Sequence, residues 1–366
     1  MSFSVLSDVA VKGLLANLRK QDLISIQHAL KQAFVAYSLN NEGAYQPHRA
    51  SVTRPDGQTT LFMPATSPSS VGAKIIGVPP PTATGKTLAG VLVLCDSEGK
   101  AKGILNAGEV TAFRTALGSM SLLEHRRKLS NVVVFGAGKQ AFWHIRLAQL
   151  LRGADIARIT VVNRSADRSN ELLQRLKEEE SDAKAETNAF DSTRPDYDEA
   201  LEQLVQSADA IFCTTPAKVP LFPATYLASA VGRGTGPYIT AIGSYKIEMS
   251  ELDPVLFRDV VDAKTGYHPK GKGGGVIVVD SREGCFQESG EIVQGKIEAE
   301  QIVEVGEVLD ILEHPQGNDD KSLDDWLANG LVIYKSVGIG IMDLAVGNAL
   351  LDLAKEKNVG SSLPAL

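Results

Sequence analysis

Apolar and polar positions along the chain repeat with two different periods, and the switches between them predict its elements. From Leu6 to about Leu39 the spacing is helical, with Leu30, Phe34 and Tyr37 following Ile24 and Ile26, which predicts two amphipathic packing helices. The runs AYQPHRASV, TTLFMPA, GAKIIGV and LAGVLVLCD come next, broken by proline and glycine, and predict an antiparallel or mixed sheet. Helical spacing returns from Asn106 to Arg127, where Val110, Phe113, Leu117 and Met120 form an apolar seam.

From Val132 onward the two periods alternate. The strand-like VVVF leads through a glycine turn into a helix from Lys139 to Leu151, with Phe142, Ile145 and Leu147 directed inward. A strand at Ile159 to Val162, a helix from Ala166 to about Glu180 and a helix around Glu199 to Val205 follow. ADAIFC, YITAIGS, DVVDAK and GGVIVVD supply further strands. Such alternation predicts a doubly wound α/β domain with a parallel sheet. From about Glu300 the chain is helical and acidic through the turn PQGNDDKS. A short strand then ends at Lys335, and a last helix carries Gly340, Ala345 and Gly347, small enough for close packing.

The turn in VVVFGAGKQA has the chemistry of a dinucleotide corner. Gly136 permits the sharp bend, Gly138 lets the backbone approach a pyrophosphate, and Ala141 stands where helix meets strand. The helix that starts with Lys139 and Gln140 offers free N–H groups and a positive dipole end to phosphates. Alone, this motif fits equally a glycine turn that binds no nucleotide; the succession of strands after it favours the nucleotide. The loops at Thr214 and Ser244 fall at the carboxyl edge of the sheet, where ligands bind. After the second strand an NAD site expects an acidic residue, and the chain has Asn163, Arg164 and Ser165 instead. A guanidinium with two small polar neighbours suits a 2′-phosphate, so NADP(H) is preferred over NAD(H), although Ser165 also suits a helix cap. Thr265 to Gly275, TGYHPKGKGGG, lacks the order of a phosphate loop and reads as a flexible hairpin insertion.

Four charges stand out. Lys74 lies inside an apolar strand and Arg49 follows a proline at the head of another, each readable as a snorkelling side chain. Arg114 has Val110, Thr111, Leu117 and Gly118 three and four positions away and no carboxylate among them, so its partner lies elsewhere in the fold or is a ligand. Lys335 at a strand end suits a phosphate, a carboxylate or plain solvent.

Composition narrows the classes. The chain has 366 residues, 43% hydrophobic and 22% charged, an ordinary globular profile with room for about two to three domains. A formal net charge of -7 gives no basic footprint for nucleic acid. Cys95, Cys213 and Cys285 are far apart, Cys95 and Cys213 in apolar runs that predict buried thiols. With no signal-peptide pattern, this points to a reducing cytosol. No apolar run reaches the length of a membrane span, and Leu363 to Leu366 spell no peroxisomal address. The six histidines have no metal-ligand spacing and there is no GxSxG elbow, so neither metal nor serine-hydrolase chemistry is expected.

In this order, QPHR, GAKIIGV, GEVTAFRTA, GAGKQA, VVNRS, IGSYKIEMSELD and YKSVGIGIMDLA resemble the ornithine cyclodeaminase/mu-crystallin family over nearly the whole chain. The resemblance implies a Rossmann NAD(P)-binding domain, residues 128–319, inserted into an α+β substrate and dimerisation domain, residues 1–127 and 320–366, and a homodimer. It implies that Arg49, Lys74 and Arg114 hold the carboxylate of an imino or amino acid beside the nicotinamide, with Lys74 and Arg114 the catalytic candidates. The cofactor-binding candidates are Gly136, Gly138, Lys139, Gln140, Asn163, Arg164, Ser165, Thr214, Ser244 and Lys335. True cyclodeaminases carry an aspartate where this chain has Tyr245, whereas the mu-crystallin branch lacks it and reduces cyclic ketimines with NADPH. The expectation is therefore an NADPH-dependent reductase of an imine beside a carboxylate, such as pyrroline-2-carboxylate. The alternatives are an ornithine cyclodeaminase, an NAD(P)-dependent amino-acid dehydrogenase or opine-type imine reductase, or a non-catalytic NADPH-binding protein. The imine nitrogen either arrives protonated or takes its proton from Lys74 or water.

Overall fold

A computed structural model of the chain describes residues 2–80, 82–83, 88–179, 184–271, 273–315 and 319–364. It divides into two compact units, Met1–Gly118 with Ile339–Leu366, and Ser119–Gly338.

The first unit begins with β1 (Ser2–Leu6), α1 (Asp8–Ala16) and α2 (Lys20–Leu39). Ser7 starts α1 by accepting the Ala10 N–H with its hydroxyl, and Asp22 starts α2 by accepting the Arg19 N–H. Then come β2 (Ala50–Thr53), β3 (Thr59–Ser67), β4 (Ser70–Val78), β5 (Ala89–Asp96), β6 (Ala101–Asn106) and α3 (Ala107–Leu123), whose residues from Ser119 onward are counted with the second unit.

The second unit carries β7 (Asn131–Phe135), α4 (Lys139–Arg152), β8 (Arg158–Asn163), α5 (Ala166–Glu179), β9 (Glu186–Asp191), α6 (Tyr197–Ser207) and β10 (Ala210–Cys213). It continues with α7 (Ala228–Arg233), β11 (Tyr238–Ala241), α8 (Pro254–Asp262), β12 (Ile277–Val279), α9 (Arg282–Glu288) and α10 (Gly290–Gly295). β13 (Ile302–Glu304), α11 (Val305–Glu313), α12 (Asp319–Asn329) and β14 (Val332–Lys335) complete it. α13 (Gly340–Glu356) and β15 (Ser361–Pro364) return to the first unit.

In the first unit the seven strands run in the order β15-β1-β6-β5-β4-β3-β2. The sheet is mixed, β1 being parallel to β6 and the other pairs antiparallel. α13 packs against α2 and on β3, β4 and β5. Gly347 allows this approach, since a Cβ there would lie 2.6 Å from Leu92 Cδ2. Because side chains alternate along a strand, Met63 and Lys74 share one side of the sheet while their neighbours Phe62 and Ile75 pair on the other. Phe62 and Ile75 are 41% and 38% exposed, so that second side keeps apolar surface in the open.

The second unit holds eight strands in the order β13-β12-β14-β11-β10-β7-β8-β9, all parallel. This is a doubly wound Rossmann-type sheet. Its central strands are buried on both faces, as their near-continuous apolar runs require. The strand order reverses between β7 and β10, which makes their carboxyl ends the switch point where ligands bind in such sheets.

Several expectations are revised. The first four residues of DVVDAK, Asp259 to Asp262, end α8 and are not a strand. Asp253 Oδ1 accepts the Val255 N–H at 3.0 Å and Pro254 fills the first turn, so Leu256, Phe257, Val260 and Val261 bury one helical face. The edge strand β9 is too polar for its periodicity to announce it. Cys213 is buried but Cys95 is only half-buried. Residues 265–275 form successive turns, with Gly266 and Gly271 donating to Ala263 and His268, and among the described residues there is no hairpin; Lys272 lies outside them. Glu180 and the turn residues Gln316 to Asn318 also lie outside the described residues. The units meet in sequence at 118/119 and 338/339, where the resemblance implied 127/128 and 319/320. β14 explains the later second boundary, because it enters the parallel sheet between β11 and β12.

Among the described residues no helix is long and apolar enough to cross a membrane, and no group of three or more His, Cys, Asp or Glu is placed to hold a metal ion.

Candidate active site

In the first unit, the strand that carries Lys74 turns it toward α13. Its ammonium donates to Asp343 Oδ2 at 2.7 Å, while Arg114 Nε donates to Asp343 Oδ1 at 3.1 Å. Arg114 Nη1 also donates to Met342 Sδ. Lys74, Arg114 and Asp343 are 1%, 4% and 1% exposed. Asp343 lies in the first turn of α13, where the helix dipole favours an anion. The partner that Arg114 lacks within its own helix is therefore a carboxylate 229 positions away, and Lys74 shares it.

The balance of charge in this cluster is positive. Burial lowers the Lys74 pKa, Asp343 raises it, and Arg114 and Arg49 lower it again, with the outcome about 8. Arg49, half-buried just before β2, is thus close enough to be felt at Lys74. Lys74 and Arg114, among the described residues, share the single carboxylate of Asp343. Among the described residues, Lys74 makes one hydrogen bond with its three protons, and the Arg114 guanidinium keeps donors beyond its contacts to Asp343 and Met342.

In the second unit, the corner after β7 has the geometry a pyrophosphate needs. Gly136 has φ +107°, and a Cβ there would meet Thr214 Oγ1 at 2.7 Å. Gly138 is exposed, and a Cβ there would meet nothing within 4 Å, so the space over it is open for a ligand. It is also the N-cap of α4, whose first N–H groups have no partner within the helix. Gln140 Oε1 is buried with no hydrogen-bond partner among the described residues, and as an acceptor it is no partner for a phosphate. The bend at Gly136, the open approach at Gly138 and the free N–H groups of α4 fit a dinucleotide phosphate. Lys139, at the first position of α4, is half-buried.

At the end of β8, Asn163 Nδ2 donates to the Ser165 carbonyl at 3.1 Å, and Ser165 Oγ accepts the Arg168 N–H at 3.4 Å, so Ser165 caps α5. Arg164 is exposed. No carboxylate occupies these three positions, which leaves the place open to an anionic substituent.

Thr214 supports the corner more than it presents itself to a ligand. Its N–H and hydroxyl both donate to the Phe135 carbonyl, at 3.0 and 2.7 Å. Ser244 and Lys335 are fully buried. The Lys335 ammonium donates to the Ser244 carbonyl at 2.6 Å and to its hydroxyl, and lies 3.4 Å from Glu291 Oε2. Both side chains are thus engaged with each other and with Glu291. Sequence reasoning missed Asp343, Glu251 and Glu291. The available signal was position, since Asp343 and Glu291 are first-turn acids of their helices, a place that usually means only dipole compensation.

Residues 12–308 match the ornithine cyclodeaminase/mu-crystallin family, and the chain belongs to it. An uncharacterised protein of Saccharomyces cerevisiae is 28% identical, over 96% of this chain and 98% of its own. A delta(1)-pyrroline-2-carboxylate reductase of Bacillus thuringiensis is 24% identical, over 94% and 97%. Among solved structures, the delta(1)-pyrroline-2-carboxylate reductase of Thermococcus litoralis, in complex with NADH and L-proline, is 19% identical. It superposes with a TM-score of 0.73, covering 98% of this chain and 99% of that one.

Proposed function

We propose that this member of the ornithine cyclodeaminase/mu-crystallin family is an NAD(P)H-dependent reductase of an imine adjacent to a carboxylate, with a cyclic ketimine such as pyrroline-2-carboxylate as substrate and proline as product. The observation that carries this reading is the buried cluster of Lys74 and Arg114 on Asp343, with Arg49 acting on it. An excess of cations held in a dry place, with donors to spare, is a receptor for a small carboxylate. The similarity to pyrroline-2-carboxylate reductases supports the choice of substrate class.

Each residue then has a stated task. Arg114 and Arg49 hold the substrate carboxylate, and Asp343 keeps Lys74 and Arg114 in place and offsets part of their charge, which would otherwise oppose a protonated imine. Lys74, brought to about 8, can release or take up a proton near neutral pH, which supports it, beside a bound water, as the donor to the nitrogen. In the second unit, Gly138 and the first turn of α4 take the pyrophosphate, and Arg164 with Asn163 and Ser165 takes the 2′-phosphate of NADP(H), the preferred cofactor over NAD(H). The bound nicotinamide supplies the hydride for the imine carbon. The exposed apolar side of the first sheet, with Phe62 and Ile75, suits a second copy of the chain, in keeping with a homodimer.

The test is turnover. Purified protein should oxidise NADPH when given pyrroline-2-carboxylate or piperideine-2-carboxylate. Failure with both, together with ornithine-dependent release of ammonia, sinks the reading in favour of a cyclodeaminase; tight NADPH binding with no turnover on any imino acid leaves a binding protein.

A further inference from the structure

Beyond the cation cluster and the glycine corner, the second unit contains a buried set of charges at the carboxyl ends of its strands. β10 and β11 are adjacent and parallel, with Cys213 opposite Ala241. The loops that leave them come so close at Gly243 that a Cβ there would lie 2.1 Å from the Thr215 carbonyl oxygen. Both loops aim their backbone at one side chain. Glu251 Oε1 accepts the Thr215 N–H at 2.5 Å and the Thr215 hydroxyl at 3.2 Å, and Oε2 accepts the Gly243 N–H at 2.6 Å. Glu251 itself is held from behind, since its N–H donates to Glu291 Oε1 at 2.9 Å and its carbonyl accepts from Leu221.

We propose that Glu251 is a positioning residue for the dinucleotide: its single carboxylate ties the two strand-end loops together by their backbones and so fixes the floor of the nucleotide site. The proposal rests on the reading that the second unit binds a dinucleotide. Thr215 follows Thr214, which is hydrogen-bonded to Phe135 and packed against Gly136, so the tie extends to the glycine corner itself.

The chemistry of the side chain is specific. Its two oxygens meet only donors, so a carboxylate satisfies all of them, whereas an amide would point an NH2 group at one of the two N–H groups. A fully buried carboxylate is costly in itself, and Lys335 on β14 provides the opposing charge. The other charged group facing it is Glu291 on α10, and Cys213 at the end of β10 is the neighbouring titratable group, its thiol pushed up by burial. Burial brings the Glu251 carboxyl up to about 7. On protonation one acceptor becomes a donor, and the tie to Thr215 or Gly243 is broken.

The experiment compares wild type, Glu251→Gln and Glu251→Asp. It measures hydrogen exchange at the amides of Thr215 and Gly243 and the affinity for NADPH and NADH by fluorescence titration at pH 6, 7 and 8. In the wild type, Thr215 or Gly243 should lose protection and affinity should fall as the pH drops through about 7. Glu251→Gln should bind roughly tenfold more weakly at pH 8, the effect of one charge-assisted hydrogen bond. Its affinity should also lose the pH step, with exchange faster at these two amides and unchanged in β7. Glu251→Asp should recover part of the binding. Wild-type affinity and exchange in a folded Glu251→Gln overturn the proposal. If Glu251→Gln does not fold, wild-type affinity and wild-type exchange at both amides in Glu251→Asp, whose side chain is one methylene too short to reach both N–H groups, overturn it equally. A wild type that binds neither nucleotide refutes the dinucleotide reading, while exchange at Thr215 and Gly243 still decides whether Glu251 ties the loops.

Discussion

Replacing Asp343 by Asn changes charge with little change in shape, and its cost follows from the two cations that Asp343 holds. Lys74 has an escape. At about 8 it lies close above neutrality, so discharging it at pH 7 costs on the order of 1 kcal/mol. That is the most Asp343→Asn can cost through Lys74 at pH 7, because beyond it the ammonium gives up its proton; the ceiling shrinks toward zero above pH 8. Arg114 cannot discharge, and losing the charged acceptor for its Nε costs roughly 1.5–3 kcal/mol. The sum, about 3–4 kcal/mol near pH 7, agrees with the roughly 3–5 kcal/mol typical of breaking a buried ion pair by removing one partner. The sign with pH is fixed as well. A lysine whose folded pKa is depressed adds stability as pH rises from that value to its unfolded one. In Asp343→Asn this rise begins at lower pH, so the gap between the two proteins narrows as pH passes through 8. Urea unfolding of both at pH 6.5, 7.5 and 8.5 measures it. A difference below about 1 kcal/mol at every pH, or one that does not narrow with rising pH, refutes a closed triad of Lys74, Asp343 and Arg114.

Two further substitutions separate the tasks of the two units. Arg114→Ala should raise the KM for the imino acid about tenfold or more while leaving NADPH affinity nearly unchanged, and steady-state kinetics beside NADPH titration measure both; equal losses would make Arg114 structural only. Arg164→Ala should weaken NADPH by about tenfold and leave NADH as it was, with thermal stability within about 0.5 kcal/mol of wild type because the side chain is exposed. A parallel loss for both nucleotides assigns Arg164 no part in the 2′-phosphate site.

Much of this molecule is legible in its sequence because the determinants are local. The 3.6 and 2 periods mark α2, α3, β3 to β5 and the βα alternation, since each depends on residues within a turn or two of one another. Gly136 and Gly138 are legible for a similar reason: the bend and the open approach are properties of the backbone at those two positions. Where local signals compete, reading fails, as in DVVDAK, whose β-branched pair suggests a strand until the Asp253 and Pro254 start is weighed.

Long-range pairing is decided elsewhere. Nothing near Lys74 or Arg114 indicates Asp343, which is 269 and 229 positions away in the chain and becomes their partner only when α13 packs on β4. Lys335 and Ser244 look like edge groups ready for a ligand, yet β14 enters between β11 and β12 and buries them against Glu291. Glu251 looks like one acid among many until the loops after β10 and β11 converge on it. Sequence alone specifies which residues carry charge and which segments curl or extend. The fold specifies which charges meet in the dry interior, and there the cost of an unpaired ion makes each meeting decisive.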